Sequence, residues 1–166
     1  MTFSTSLDNQ AKLVTVGFLL LLFSTLMLPL FKLTFFFSPF IYIPIFIWLL
    51  PIATICYSFL LKPVDYIISY KNVIIRRRIK TIVLTEVNII NVKLFHCHLL
   101  KNQGYISGVK GLFGYVGKTY LNGLGILRWY GTRKNKMVLI TTKDHRRIII
   151  TTDEPEEFVN AFYATK

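Results

Sequence analysis

Residues 66–92 read YIISYKNVIIRRRIKTIVLTEVNIINV, and this stretch decides the fold. Short β-branched runs, Tyr66–Tyr70, Val73–Arg77, Thr81–Leu84 and Val87–Val92, are separated by polar, turn-prone residues such as Lys71-Asn72, which is the pattern of strands joined by tight turns. Met137–Thr142 and Arg147–Thr151 repeat it downstream, with Arg133–Lys136 and Lys143–Arg146 between them. Connections this short suit antiparallel hairpins, not crossover helices. At the end, Asp153 can cap a helix, Pro155 fits its first turn, Glu156 and Glu157 favour its positive end, and Phe158, Val159 and Phe162 supply an apolar face. The reading is an all-β system closed by one helix over residues 154–164.

Working outward to the N-terminus, the composition changes. The chain has 166 residues, 53% of them hydrophobic, with a mean hydropathy of +0.50. That excess sits in two uncharged runs, Leu13–Phe31 and Phe40–Leu61, of 19 and 22 residues. As helices rising about 1.5 Å per residue, each matches a hydrocarbon core of about 30 Å. Pro44 and Pro51 fall on one side of the second run and can kink it. The connector Lys32–Pro39 is short enough that the two helices form an antiparallel hairpin. The expected organisation is therefore a tail over residues 1–12, a transmembrane hairpin over 13–61 with spans 13–31 and 40–61, and a soluble domain over 62–166.

Orientation follows from Lys62, Lys71, Arg76, Arg77, Arg78 and Lys80 after the second run, against Lys32 alone in the connector. Positive residues stay inside, so both termini are expected in the cytoplasm of a cell-membrane protein. A secretory signal peptide is the competing reading. The run's length, Asp8 beside Lys12 and the lack of a small-residue cleavage site argue against it. Residues 62–152 hold 17 basic side chains against Asp65, Glu86 and Asp144, so the charge belongs to the soluble part. Cys56 and Cys97 fall in different phases, which fits a reducing compartment without an internal disulfide.

Between the strand groups, Gly108, Gly111, Gly114 and Gly117 recur every three residues, followed by Gly123 and Gly125. Collagen needs many more repeats with proline. Lys118-Thr119 looks like the end of a phosphate-binding loop, but no helix signal follows, and Tyr115, Tyr120, Trp129 and Tyr130 interleave the segment. Turns, bulges and tight packing of a curved sheet are the expectation. His96, Cys97 and His98 are metal-ligand types, yet adjacent residues do not converge on one ion and no second cluster completes four ligands, so no metal is assigned. No catalytic constellation is present and no cofactor is implied. Nucleic acid is not needed to explain the basic charge once a bilayer is invoked.

Taken together, Gly111-Leu-Phe-Gly-Tyr-Val-Gly117, Gly125 through Tyr130 with Thr132, Met137-Val-Leu-Ile140, Ile148-Ile-Ile150 and Asp153-Glu-Pro-Glu-Glu-Phe158 resemble the bacterial pleckstrin-homology (PH) domain proteins over most of residues 66–163. Members often carry an N-terminal pair of membrane helices. The resemblance implies a PH-like fold, two near-orthogonal antiparallel sheets capped by a C-terminal helix. Thr151-Thr152 stands where Ser-Pro is common, and Asp144-His145 where a glycine turn is common. The fold hosts lipid, peptide and protein binding alike, so the site needs its own argument.

If Lys71-Asn72 is a two-residue turn, Ile68 faces Ile75, Tyr66 faces Arg77 and Asp65 faces Arg78, which brings the arginines back to the membrane end. Lys62, Lys71, Arg76, Arg77, Arg78 and Lys80 are thus the candidate lipid head-group residues, each worth about 1 kcal/mol near an anionic leaflet. Lys71 with Arg76 and Arg78 also resembles the basic motif with which some eukaryotic PH domains hold inositol phosphates; a positive-inside patch needs no such ligand. Gly108, Gly111, Gly114, Gly117 and Gly125 are the candidate structural glycines. The expected function is a non-enzymatic, membrane-anchored adaptor that binds a protein partner, anionic lipid head groups or both. The alternative is a self-associating assembly protein.

Overall fold

The computed structural model describes residues 1–27, 42–96 and 103–164. Strand β1 (Thr2–Ser4) leads into helix α1 (Asn9–Met27); helix α2 (Tyr42–Leu61) runs straight into β2 (Pro63–Ser69). β3 (Asn72–Arg77), β4 (Ile82–Leu84), a 3₁₀ turn (Glu86–Asn88), β5 (Ile89–Phe95), β6 (Gln103–Lys110), β7 (Tyr115–Leu121), β8 (Gly125–Gly131), β9 (Met137–Thr142), β10 (Arg147–Thr151) and helix α3 (Pro155–Ala164) follow. The first sheet has the order β1-β2-β3-β4 and the second β5-β9-β10-β8-β7-β6. The mainly-β domain with two sheets and a closing helix is as read from the sequence.

Two local expectations are corrected. The β2–β3 turn sits one residue earlier, at Tyr70 and Lys71, both with positive φ (45° and 57°) as a type I′ turn requires. Ile68 therefore faces Val73, Tyr66 faces Ile75 and Asp65 faces Arg76. This keeps Asn72 in the strand, where its Oδ1 accepts the Glu86 N–H at 2.9 Å. The shift is by two partners, so each residue keeps its face. Second, β8 and β10 pair in parallel, because β10 returns from its hairpin with β9 and slots between β9 and β8. The glycine-rich segment, expected as turns, bulges and the tight packing of a curved sheet, supplies three full strands of that sheet, β6 to β8.

The inner cluster lies between the sheets, with Tyr66, Ile68, Val73 and Ile75 against Val92, Val138, Ile140, Ile148 and Ile150, and Phe158 and Phe162 of α3 closing it. A second cluster covers the other face of the six-stranded sheet, with Phe95, Tyr115, Leu121, Leu127, Trp129, Met137, Leu139 and Ile149. β9 and β10 are thus buried on both sides, and their sequences are continuous apolar runs, not alternating ones. Tyr66 pins the sheets together. Its hydroxyl donates to the Tyr130 carbonyl at 2.7 Å and accepts the Thr151 N–H at 3.4 Å, where the parallel pair ends. Burial pushes this phenol up to about 12, partly offset by hydrogen bonds at Thr151. On the outer edge, the Tyr163 hydroxyl of α3 accepts the Val92 N–H at 3.2 Å and so covers part of the β5 edge.

Residues 1–8 are not a free tail. β1 pairs antiparallel with β2, Phe3 packs edge-on against Phe158 at 5.0 Å between ring centroids, and the Met1 ammonium donates to the Ile68 carbonyl at 2.9 Å. Helix α1 begins at Asn9, four residues before the expected span, because Asp8 accepts the Ala11 N–H at 2.7 Å as its N-cap. Among the described residues, no helix is long and apolar enough to cross a membrane. The connector and the remainder of the expected spans, residues 28–41, lie outside the described residues.

Candidate functional site

The two N-terminal helices meet the β-domain at one end, and the chain builds this root from segments far apart in sequence. Ala11 of α1 is fully buried in the outer cluster. Thr15, one turn on, donates to the Ala11 carbonyl at 2.7 Å and accepts the Phe113 N–H of the β6–β7 turn at 3.1 Å. Phe113 lies edge-on against Phe59 of α2, 5.3 Å between centroids, so the turn is seated between both helices. Gly111 in that turn has φ of +95°, and a Cβ there would touch the Val14 side chain.

A second junction joins residues 4–8 to the β8–β9 loop. Asp8 accepts the Lys134 N–H at 3.1 Å through its other oxygen. The Thr132 hydroxyl donates to the Ser6 carbonyl at 2.7 Å, and Arg133 donates to the same carbonyl at 3.2 Å while pairing with Asp153 at 2.6 Å. Asp153 also accepts the hydroxyls of Ser4 (2.9 Å) and Ser6 (2.8 Å). Its carboxylate clasps the N-terminal segment, correcting the helix-cap expectation; α3 starts later, with the Glu154 carbonyl accepting the Phe158 N–H. Burial raises the Asp153 carboxyl, but the serine hydrogen bonds and Arg133 outweigh it and hold it below the usual range.

Of the expected head-group residues, Lys62, Arg76, Arg77, Arg78 and Lys80 gather at the root and Lys71 does not. Arg77 is the partner of Pro63, directly after α2. Its Nε donates to the Lys80 carbonyl at 3.0 Å and its guanidinium lies 5.3 Å from the Tyr130 ring centre. Arg78 stacks over Phe59 at 4.2 Å. Arg76 forms a forked pair with Asp65, its register partner. Lys62 is lowered by burial and by the nearby Arg78 charge. Lys71 occupies the opposite end of the hairpin, roughly 20 Å away at about 3.3 Å per residue, paired with Glu86 at 2.9 Å.

Sequence reading missed Lys110 and Lys134, which with Gln10, Leu13, Val14 and Tyr115 line an open groove of about 520 Å³ beside α1. Lys134 lies 5.3 Å from the Tyr115 ring centre, and burial with the Asp8 charge pushes that phenol up to about 12. The signal for Lys134 was its place in the turn-prone Arg133–Lys136 stretch; nothing local marked Lys110. Gly108, Gly111, Gly114, Gly117 and Gly125 all have positive φ. Gly108 and Gly117 are register partners whose backbones approach so closely that a Cβ on Gly117 would lie 2.8 Å from the Gly108 Cα. His96 follows β5, while Cys97 and His98 lie outside the described residues. No group of three or more metal-ligating side chains occurs among the described residues.

Two packed sheets, a closing C-terminal helix and a cationic rim are the features the domain presents. Residues 64–165 match the family described as Bacterial PH domain, and the chain belongs to that family. The match begins inside β2, so it leaves out β1 and both N-terminal helices. No curated protein and no solved structure matches the chain.

Proposed function

We propose that this protein is a non-enzymatic, membrane-anchored PH adaptor whose helical pair inserts in the cell membrane and whose domain lies against the inner leaflet, with both termini in the cytoplasm. One observation carries the reading: α1 and α2 leave the same end of the domain, and that end is ringed by Lys62, Arg78, Lys110 and Lys134. Beyond the ring, Leu13, Val16, Leu20, Leu21 and Phe23 of α1 and Leu49, Leu50, Ile52 and Leu60 of α2 are exposed. An apolar surface of this extent beside cations fits a bilayer and its anionic head groups. The basic ring supports general electrostatic contact; nothing in it favours one head group. A protein partner completes the adaptor reading.

Self-association is the second reading, and β6 favours it. This strand ends the six-stranded sheet with Tyr105 and Ile106 exposed, so its open side can pair with another copy.

The test uses the full chain in cells. A cysteine placed at His145, at the opposite end of the domain from the root, is expected to resist a membrane-impermeant thiol reagent until the cells are opened. Labelling in intact cells would invert the topology and end the adaptor reading. In reconstituted vesicles, changing Arg78, Lys110 and Lys134 to glutamine should weaken the domain's contact with anionic lipid, read as loss of protection of the ring residues in hydrogen exchange.

A further inference from the structure

Sheet register places two cations directly opposite each other away from the root. Lys118 of β7 is the partner of Arg128 of β8, so both side chains leave the same face of the sheet. Like charges in that position repel and cost stability. Among the described residues neither has an ion-pair partner. Arg128 shares its face with Tyr130, and this face turns toward β4 of the other sheet.

The two sheets part there around a cleft of about 140 Å³. Its floor is apolar, from Ile82, Leu84 and Ile148, and its rim is polar, from Arg128, Arg146, Asn88 and Thr142. Asp144 is the carboxylate on the rim, and it stands 3.8 Å from Arg146, beyond a normal hydrogen bond. The Arg77 guanidinium, over the Tyr130 ring, adds positive charge from the neighbouring strand. An unneutralised cation pair beside a small cleft with amide and hydroxyl groups is an arrangement that an anion relieves.

We infer that this inter-sheet cleft binds a compact phosphate-bearing molecule, with Arg128 as its principal contact and Lys118 and Arg146 as supporting charges. Arginine presents a fork that matches phosphate oxygens, and the volume admits one phosphate group with a short organic stem. The phosphate comes either from a soluble ester or from a lipid head group. The site goes beyond the membrane-adaptor reading and does not depend on it, since Arg128, Lys118 and Arg146 are not root cations; of the root set, Arg77 alone adds charge here.

The test is calorimetric titration of the full chain in neutral detergent micelles with inorganic phosphate and with glycerol 3-phosphate, and in a second arm with vesicles containing phosphatidylglycerol. Arg128→Gln is expected to weaken phosphate binding by about tenfold or more, and Lys118→Gln by less, whereas Lys93→Gln on β5 serves as the charge-matched control. Removing the repulsion should also raise the thermal midpoint of Arg128→Gln by about 1–4 °C in phosphate-free buffer, which separates lost binding from lost folding. Saturable, Arg128-dependent binding of the soluble phosphates assigns the soluble source. Arg128-dependent binding confined to the vesicles assigns the head group. Equal behaviour of Arg128→Gln and Lys93→Gln in both arms overturns the proposal.

Discussion

The two ends of the β-domain are built differently. At the root, cations and polar side chains are held by partners from distant segments: Arg133 by Ser6 and Asp153, Lys134 against Tyr115, Arg78 over Phe59. At the far end, the pairs are exposed, Lys71 of the β2–β3 turn with Glu86 of the 3₁₀ turn after β4 and the longer Arg146–Asp144 contact within the β9–β10 turn. A root tied by partly buried side-chain contacts transmits the position of the helices to the sheets; a far end whose side-chain pairs are solvent-exposed is freer to vary. Substitutions should therefore cost much at the root and little at the far end.

The largest expected effect is at β1, which lies outside the family match yet completes the first sheet. Phe3 is buried against Phe158 in the inner cluster. Phe3→Ala leaves a cavity there and should destabilise the domain by about 3–4 kcal/mol, measured by denaturant unfolding of the full chain in detergent. A loss under about 1 kcal/mol, the level of an exposed site, would break the comparison by showing that the N-terminal strand is dispensable.

Next comes the clasp between Arg133 and Asp153. Arg133→Met leaves the carboxylate without its charged partner and should cost about 2 kcal/mol, less than for a fully buried pair because the Asp153 side chain is 28% exposed. The pH dependence gives a second readout. The folded-state pKa of Asp153 lies below its unfolded value, so its contribution is complete above the unfolded pKa of about 3.9 and is lost as pH falls through the folded value. Arg133→Met raises that folded pKa, so acid unfolding should begin at a higher pH than in the unaltered chain. An unchanged acid midpoint would show that the serine hydroxyls alone hold the carboxylate.

What the sequence made legible follows from how far each determinant reaches along the chain. β9 and β10 could be read with their observed bounds because burial on both faces makes their runs continuously apolar. The arginines of β3 could be placed at the root because the β2–β3 hairpin folds them back beside Pro63, directly after α2. The bounds of β6 to β8 were hidden within the expected curved sheet, since their glycines break the strand pattern, while the close backbone approach of Gly108 and Gly117 is what the strand pair demands there. β1 was hidden because three residues carry no periodicity; its partner lies more than sixty residues away. Asp153 read as a cap because its true partners, Ser4, Ser6 and Arg133, meet it only after folding.

The smallest effect should come from the far end. Lys71 and Glu86 approach to 2.9 Å, but their side chains are 32% and 52% exposed, so water screens the attraction and ordering two flexible chains offsets part of it. Glu86→Gln should therefore change stability by about 0.5 kcal/mol or less, and raising the salt concentration should erase even that difference. Asn72 is the contrasting neighbour, because its side chain accepts the Glu86 backbone N–H, which every substitution at residue 86 except proline retains. If Glu86→Gln instead costs as much as Arg133→Met, the Lys71–Glu86 pair is not the screened surface contact its exposure indicates. The far end would then be as tightly coupled to the sheets as the root, and the division between the two ends would fail.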